Sequence, residues 1–225
     1  MRHPRIAHRV WLGPHTPNPE HATYADRFAE VNPGWTVITW TDAMVADLTL
    51  VNGDLYDEAP TYVHRADLIL YEVVYRYGGL AFGYDMEALR NVEDFIGDHE
   101  CWCTPDADLF PGQAFFGATP EHPAIRAVMD RAGPRIGELG GWNQPHIDTG
   151  PYLWGDVFGR HGQRAHVHGL DVIGTWRTAY PVRYWEKEIF ADPVRYAARI
   201  RGSLMVHRFA FTWANPDAVK VVTDA

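Results

Sequence analysis

Cysteine is nearly absent. Cys101 and Cys103 are the two in a chain of 225 residues, and a single intervening residue is too close for an unstrained bridge in an extended chain. This argues against a disulfide framework and for a reducing compartment. "CWC" reads as the core of a strand rather than as a two-thiol metal site. No run of Lys and Arg occurs, and the formal charge is −9. Binding to a nucleic-acid backbone needs a basic surface, so that class is disfavoured. A phosphorylated ligand stays open, because one metal ion or a few Arg can reverse the sign inside a pocket. No apolar run approaches the roughly 18 residues that span a bilayer. The opening "MRHPRIAHRVWLG" lacks the apolar segment of a signal peptide, so a soluble, cytoplasmic protein is expected. A P-loop, a Ser-centred elbow and a G-x-G-x-x-G run are all missing, which makes NTPase, hydrolase and Rossmann readings poor. With no repeat, linker or low-complexity tract, residues 1–225 read as one domain.

What is present is a layered pattern. Hydrophobic residues make up 46% of the chain, ample for a packed core. Arg5 to Gly13 reads as an opening strand, "TYADRFAEVNPG" as a helix that stops before its Pro, and "WTVITW" as a second strand. A short helix, "AMVADL", follows Thr41 and Asp42. Val63, Ala66, Ile69 or Leu70, Val73 and Tyr77 recur at helical steps, with Gly78 and Gly79 as the stop. "LAFGYDM" is the next strand, "ECWCTP" and "QAFFGAT" two more, and "HPAIRAVMDRAG" and "TGPYLWGDVFGRHG" two helices. "AHVHGLDVIG" is strand-like, and "SLMVHRFAFTW" a late strand or loop. The alternation predicts an α/β fold with a mostly parallel central sheet flanked by helices. Ligands in such sheets gather at the carboxyl ends of the strands.

One stretch stands out. In "YRYGGLAFGYDMEALR" an apolar strand ends on Asp85, with Glu87 two residues on and Gly83 two before. A carboxylate at a strand end can hold a hard divalent cation. Asp67 is unusual in another way. It sits among Ala66, Leu68, Ile69 and Leu70, where a carboxylate is seldom buried without partners.

The segments "HPRIAHRVWLG", "NPGWTVITWTD", "RADLILYEVVYRYGGLAFGYDME", "TGP" and "VHRFAFTW" occur in that order between residues 3 and 213. Together they resemble the glycosyltransferase family with the Asp-x-Asp sugar-binding region. That family includes initiating mannosyltransferases and, more distantly, the clostridial glucosylating toxins. Each segment alone is weak, and five in sequence are specific. The resemblance implies a GT-A-type nucleotide-sugar-binding fold and transfer of a sugar from a UDP- or GDP-sugar to a glycan, protein or small-molecule hydroxyl, with retention of configuration. It also implies a Mn²⁺ or Mg²⁺ cofactor. This chain departs from the family pattern at two positions: Gly83 stands where the first Asp is usual, and Leu70 where Arg is usual. A catalytically impaired sugar-nucleotide or glycan-binding protein of the same fold is the alternative.

By that resemblance Asp85 is a metal ligand, and His207 in the tail a second one. Asp67 and Tyr71 face the donor, while Gly79 and Gln113 lie near it. Trp11 stacks on the base, unless it only packs in the core. Thr212 and Trp213 close over the diphosphate. Asp148, in "HIDTGP", either orients the acceptor hydroxyl or caps the helix that follows. Glu87 reads as a salt-bridge partner, and Arg65 as pointing away from the space left at Leu70. His166 and His168 read as exposed residues, without metal-site spacing.

Overall fold

The computed structural model describes residues 3–105, 111–160 and 184–208. The chain opens with β1 (Ile6–Val10), α1 (Pro19–Ala22), α2 (Tyr24–Val31), β2 (Thr36–Trp40), α3 (Asp42–Ala46) and α4 (Gly53–Glu58). The long α5 (Tyr62–Tyr77) leads into β3 (Gly79–Phe82), β4 (Met86–Ala88), α6 (Glu93–Ile96), β5 (Cys101–Pro105) and β6 (Pro111–Ala118). Then come α7 (Pro123–Glu138), α8 (Pro145–Asp148), α9 (Pro151–Gly155), α10 (Pro193–Arg199) and β7 (Met205–His207).

The main sheet has five strands in the order β2-β1-β3-β6-β5. β1 runs parallel to β2 and to β3. β6 is antiparallel to β3, and β5 antiparallel to β6, so β5 points the same way as the first three. Four strands thus share one direction and β6 opposes them. A second, two-stranded sheet pairs β4 with β7, placing Met86 opposite His207.

Alternation along the strands makes two cores. One face carries Ala7, Leu80 and Phe82 against Phe28 of α2, with Met205 of β7. Ala81 and Phe116 on the other face pack on Ile69 and Val73 of α5 and Ile125 and Val128 of α7. Fully burying each of these large side chains contributes about 1.5–3 kcal/mol. Cys101 and Cys103 are free and buried in β5, with the Cys103 thiol pushed up to about 12 by burial. They are core residues with little thiolate character.

α5 begins where the Thr61 side chain accepts from the His64 backbone N–H, and it ends at Gly78, whose φ is 66°. The helix buries Asp67 and Glu72 along with its apolar residues. Two elements differ from expectation. α7 continues through Pro134 to Glu138, with Pro134 exposed, where water can satisfy the carbonyl it frees. The expected strand Leu80–Met86 divides in two. The Gly83 N–H donates to the Ala114 carbonyl of β6, and the Met86 N–H then closes a turn on the Gly83 carbonyl at 3.0 Å. That turn sends the chain into the second sheet and lifts Asp85 to the end of β3.

Candidate active site

Asp85 is held through both its backbone and its side chain. The backbone N–H of Arg208 donates to the Asp85 carbonyl at 2.9 Å, continuing the β4–β7 pairing. The same pairing brings His207 Nε2 to 3.2 Å from Asp85 Oδ1. Next along β4, Glu87 accepts from Arg208 Nη2 at 2.6 Å, the salt bridge expected of it. Gly83 is on the same turn: a Cβ there would sit 3.2 Å from Asp85 Oδ1 and 3.4 Å from Met86 Cγ. A side chain at this position would therefore lie directly beside the carboxylate.

Under the turn lies a fully buried cation. Arg9 Nη2 donates to the carbonyls of His21 at 2.7 Å and Tyr84 at 2.9 Å. The guanidinium carbon is 4.0 Å from the centroid of the Tyr84 ring and 5.4 Å from that of Phe82. Burial lowers its pKa to about 10, opposed by the nearby Tyr84 and Asp85. Tyr84 in turn leans on Trp11, with ring centroids 4.7 Å apart and planes tilted by 48°. Trp11 Nε1 donates to the His15 carbonyl. The column Trp11–Tyr84–Arg9–Phe82–Phe28 thus runs from a half-buried indole into the core. Neighbouring His8 points to the opposite face, where Nε2–H donates to the Gly78 carbonyl and Nδ1 accepts from Trp40 Nε1.

The second acid is carried by α5. Asp67 is 8% exposed, accepts from Thr149 Oγ1 at 2.8 Å and takes a side-chain hydrogen bond from Gln113. Burial raises its pKa to about 7 against those two hydrogen bonds. Gln113 directly precedes Ala114, whose carbonyl holds the Gly83 N–H. One step along β6 therefore links the surroundings of Asp67 to the turn that carries Asp85. Tyr71, one helical turn beyond Asp67, donates its hydroxyl to the Thr149 carbonyl and accepts from Trp154 Nε1. Asp148, fully buried, accepts from His64 Nε2 at 3.2 Å and from the Asn143 backbone at 2.5 Å. Burial lowers the His64 pKa, opposed by Asp148.

The candidate residues thus divide. Asp85 and His207 are adjacent; Asp67 and Gln113 touch; the Trp11 and Tyr84 rings pack at a tilt. Gly79 is elsewhere, and its place near the donor is corrected. It begins β3, at the other end of the strand from Asp85, with φ 92°, and a Cβ would lie 2.2 Å from the Ile6 carbonyl. Its role is to let β3 approach β1. Neither role considered for Asp148 matches its surroundings: its carboxylate is sealed inside, spent on His64 and Asn143, and no side chain caps α9. Tyr71 is likewise sealed in the core, one shell behind Asp67. Leu70 is in the apolar core, and Arg65 donates to the Asp57 carbonyl, away from it. Thr212, Trp213, His166 and His168 lie outside the described residues. Sequence reading missed Arg9, His64 and the hydroxyl of Thr149. A charged residue inside an apolar strand was the available signal for Arg9.

Among the described residues no group of three or more His, Cys, Asp or Glu side chains could hold a metal ion. Asp85 and His207 offer one oxygen and one nitrogen. Neighbouring ligands of an ion bound at 2.0–2.1 Å in octahedral geometry stand about 3 Å apart. The observed 3.2 Å fits that spacing. A separate recess of about 840 Å³ lies at the amino end of β1, lined by His3, Arg5, Trp35 and Glu93. Arg5 and Glu93 form an ion pair in its lining, at the far end of the strand from Arg9 and Asp85.

The fold is that of known glycosyltransferases. The chain superposes on the PaToxG glycosyltransferase with a TM-score of 0.54, at 11% identity, covering 89% of this chain and 84% of that one. It also superposes on a glycosyltransferase involved in glycosylation of the major capsid of PBCV-1, with a TM-score of 0.52, 11% identity and coverage of 95% of this chain and 98% of that one. In sequence it is 28% identical over 131 residues to inositol phosphoceramide mannosyltransferase 2 of Schizosaccharomyces pombe, covering 56% of this chain and 37% of that protein. It is 26% identical over 100 residues to the uncharacterized glycosyltransferase L373 of Acanthamoeba polyphaga mimivirus, covering 42% and 40%. The chain spans well under half the length of these curated relatives. No family model matches it. No helix among the described residues is long and apolar enough to cross a membrane.

Proposed function

We propose that this protein is a glycosyltransferase of GT-A type, which moves a sugar from a nucleotide-sugar donor to a hydroxyl acceptor with retention of configuration. The observation that carries the reading is the meeting of Asp85 and His207, 3.2 Å apart at the end of β3, with Asp67 reaching Gln113, the residue before the Ala114 that holds the Gly83 turn. In this reading the two side chains hold a Mn²⁺ or Mg²⁺ ion, which would neutralise the charge that builds on the departing diphosphate. Asp67 and Gln113 receive hydroxyls of the ribose or sugar, and Trp11 offers a face to the base. Thr212 and Trp213 are proposed to close the tail over the phosphates. No side chain is placed as a strong nucleophile, so rate comes from leaving-group stabilisation and from positioning of the acceptor. Two free, buried thiols suit a reducing, cytoplasmic setting.

One sequence relative is a mannosyltransferase, which makes mannose a donor sugar to include. The test is calorimetric titration with UDP- and GDP-sugars, GDP-mannose among them, with and without Mn²⁺, followed by assay of donor hydrolysis and transfer. Metal-dependent binding with turnover supports the reading, and the absence of binding by every donor rejects it. A second reading keeps the fold and drops the reaction. Its support is specific: Gly83 supplies no carboxylate beside Asp85, and Leu70 is a core residue where a cation is usual. Binding without turnover would favour it.

A further inference from the structure

Thr149 has one hydroxyl proton and two acceptors for it. Its Oγ1 is 2.8 Å from Asp67 Oδ2 and 3.3 Å from the Pro145 carbonyl, which it shares with the Thr149 and Gly150 backbone N–H groups at 3.0 and 2.7 Å. The turn that carries it is docked on α5 from both neighbours. Asp148 grips His64, one helical turn before Asp67, and Tyr71, one turn after, grips the Thr149 carbonyl. His64 Nδ1 faces Thr61 Oγ1 at 2.7 Å, and that oxygen already accepts from the His64 backbone N–H. The Thr61 hydroxyl proton therefore goes to Nδ1, which leaves Nε2–H to donate to Asp148. The tie thus places the Thr149 hydroxyl over Asp67 at a fixed distance.

We propose that Thr149 is the positioning residue for Asp67, a rotor that satisfies the buried acid in both of its protonation states. With Asp67 ionised, the Thr149 O–H donates to Oδ2. When Asp67 takes up a proton from solvent, its new O–H donates to Thr149 Oγ1, and the Thr149 proton turns to the Pro145 carbonyl. No bond other than these hydrogen bonds changes. The carboxyl oxygens stay in place, so the acid can accept from a hydroxyl of a ribose or hexose diol in either state. An aliphatic residue at 149 would leave the ionised form, which has burial against it, with Gln113 as its remaining donor. The groups that act on Asp67 are Gln113 from β6, Thr149 from the turn and Tyr71 from its own helix. The nearest titrating pair along these elements is His64 with Asp148. The link to a sugar hydroxyl rests on the proposed function; the rotor does not.

The test has two parts. In protein labelled with ¹³C at aspartate carboxyls and proline carbonyls, the Asp67 signal is assigned by its loss in Asp67→Asn. In the unaltered protein, the Pro145 carbonyl shift should move with the same midpoint as Asp67. A Pro145 signal that stays still through that titration overturns the proposal, whatever the variants do. Thr149→Val should raise the Asp67 midpoint by about one unit, and Thr149→Ser should restore it. A Val variant with an unchanged midpoint, or a Ser variant that fails to restore it, also overturns it. Calorimetry with Mn²⁺–UDP and Mn²⁺–GDP then reads function. About tenfold weaker binding is expected in Thr149→Val, with rescue in Thr149→Ser. If neither nucleotide binds the unaltered protein, the donor-site reading fails while the carbonyl titration still decides the rotor.

Discussion

His207 Nε2 lies 3.2 Å from Asp85 Oδ1, next to the Arg208–Glu87 ion pair, whose members are 121 residues apart in sequence. The antiparallel register of β4 and β7 produces this contact, with Met86 opposite His207 and the Arg208 N–H on the Asp85 carbonyl. On the proposed reading the pair shares a metal ion. Loss of a residue that merely orients a metal ligand costs 10–100-fold in affinity. His207→Ala should therefore weaken Mn²⁺-supported binding of a nucleoside diphosphate by about tenfold or more. Calorimetry with and without EDTA checks this. A partly exposed ion pair is worth at most about 1 kcal/mol. A purely structural pair would thus show a small drop in melting temperature and unchanged metal dependence.

Gly83→Asp is expected to tighten Mn²⁺ binding. The new Cβ would lie 3.2 Å from Asp85 Oδ1, a separation that asks for a few tenths of an ångström of adjustment. Without metal, the two like charges repel and stability falls. With Mn²⁺ the repulsion becomes chelation. The thermal shift on adding Mn²⁺ should therefore be larger in the variant than in the parent protein, while the metal-free melting temperature is lower. Equal shifts would mean that a carboxylate at 83 does not reach the ion.

Much of this arrangement was legible in the chain, and the reasons differ by residue. Periodicity and glycine signals placed α5 to within a residue, because a helix that buries one broad face has no other way to repeat its apolar positions. Asp67 announced itself as an acid among apolar neighbours. The break at Gly83 was not legible, since an apolar run reads the same whether it continues or turns into another sheet. It took a hydrogen bond to Ala114 and a partner strand more than a hundred residues away to redirect it. Asp148 was ambiguous for a similar reason. Its partner His64 belongs to a helix 84 residues earlier, and no local pattern records such a pair. Gly79 was misplaced because a glycine beside a site and a glycine between two strands look alike until the neighbouring backbone is seen.

Gly79→Ala tests that last point. At φ 92° an alanine is strained, and its Cβ would stand 2.2 Å from the Ile6 carbonyl oxygen, which β1 cannot withdraw without losing its register with β3. A loss of about 3 kcal/mol or more is expected by urea unfolding. Such a variant, where it still folds, should bind Mn²⁺–nucleotide with the parent affinity, because position 79 is at the other end of the strand from Asp85. Weakened binding at full folding would return Gly79 to the donor site.

Asp67→Asn should raise stability in alkaline solution while weakening nucleotide binding. Burial lifts the Asp67 carboxyl from its ordinary value of 3.8 to about 7. Between those values the folded protein holds a proton that the unfolded chain has released, so stability falls as pH rises through the window. Above pH 7 the full penalty applies, at most about 4 kcal/mol from 1.36 kcal/mol per unit. Asparagine cannot ionise and escapes it. The stability difference, variant minus parent, should be near zero at pH 4 and grow in favour of the variant up to pH 8. His8 titrates in the opposite sense. Burial lowers its pKa to about 4, so it costs stability as pH falls from 6.5 toward 4. It is present in both proteins and cancels in the difference. Urea unfolding at several pH values measures the trend, and a difference that stays flat from pH 4 to 8 would show that Asp67 is ionised throughout. Nucleotide binding by the same variant should be weakened, since the amide keeps the shape of the acid and loses its charge, leaving a residue retained for what it binds rather than for what it stabilises.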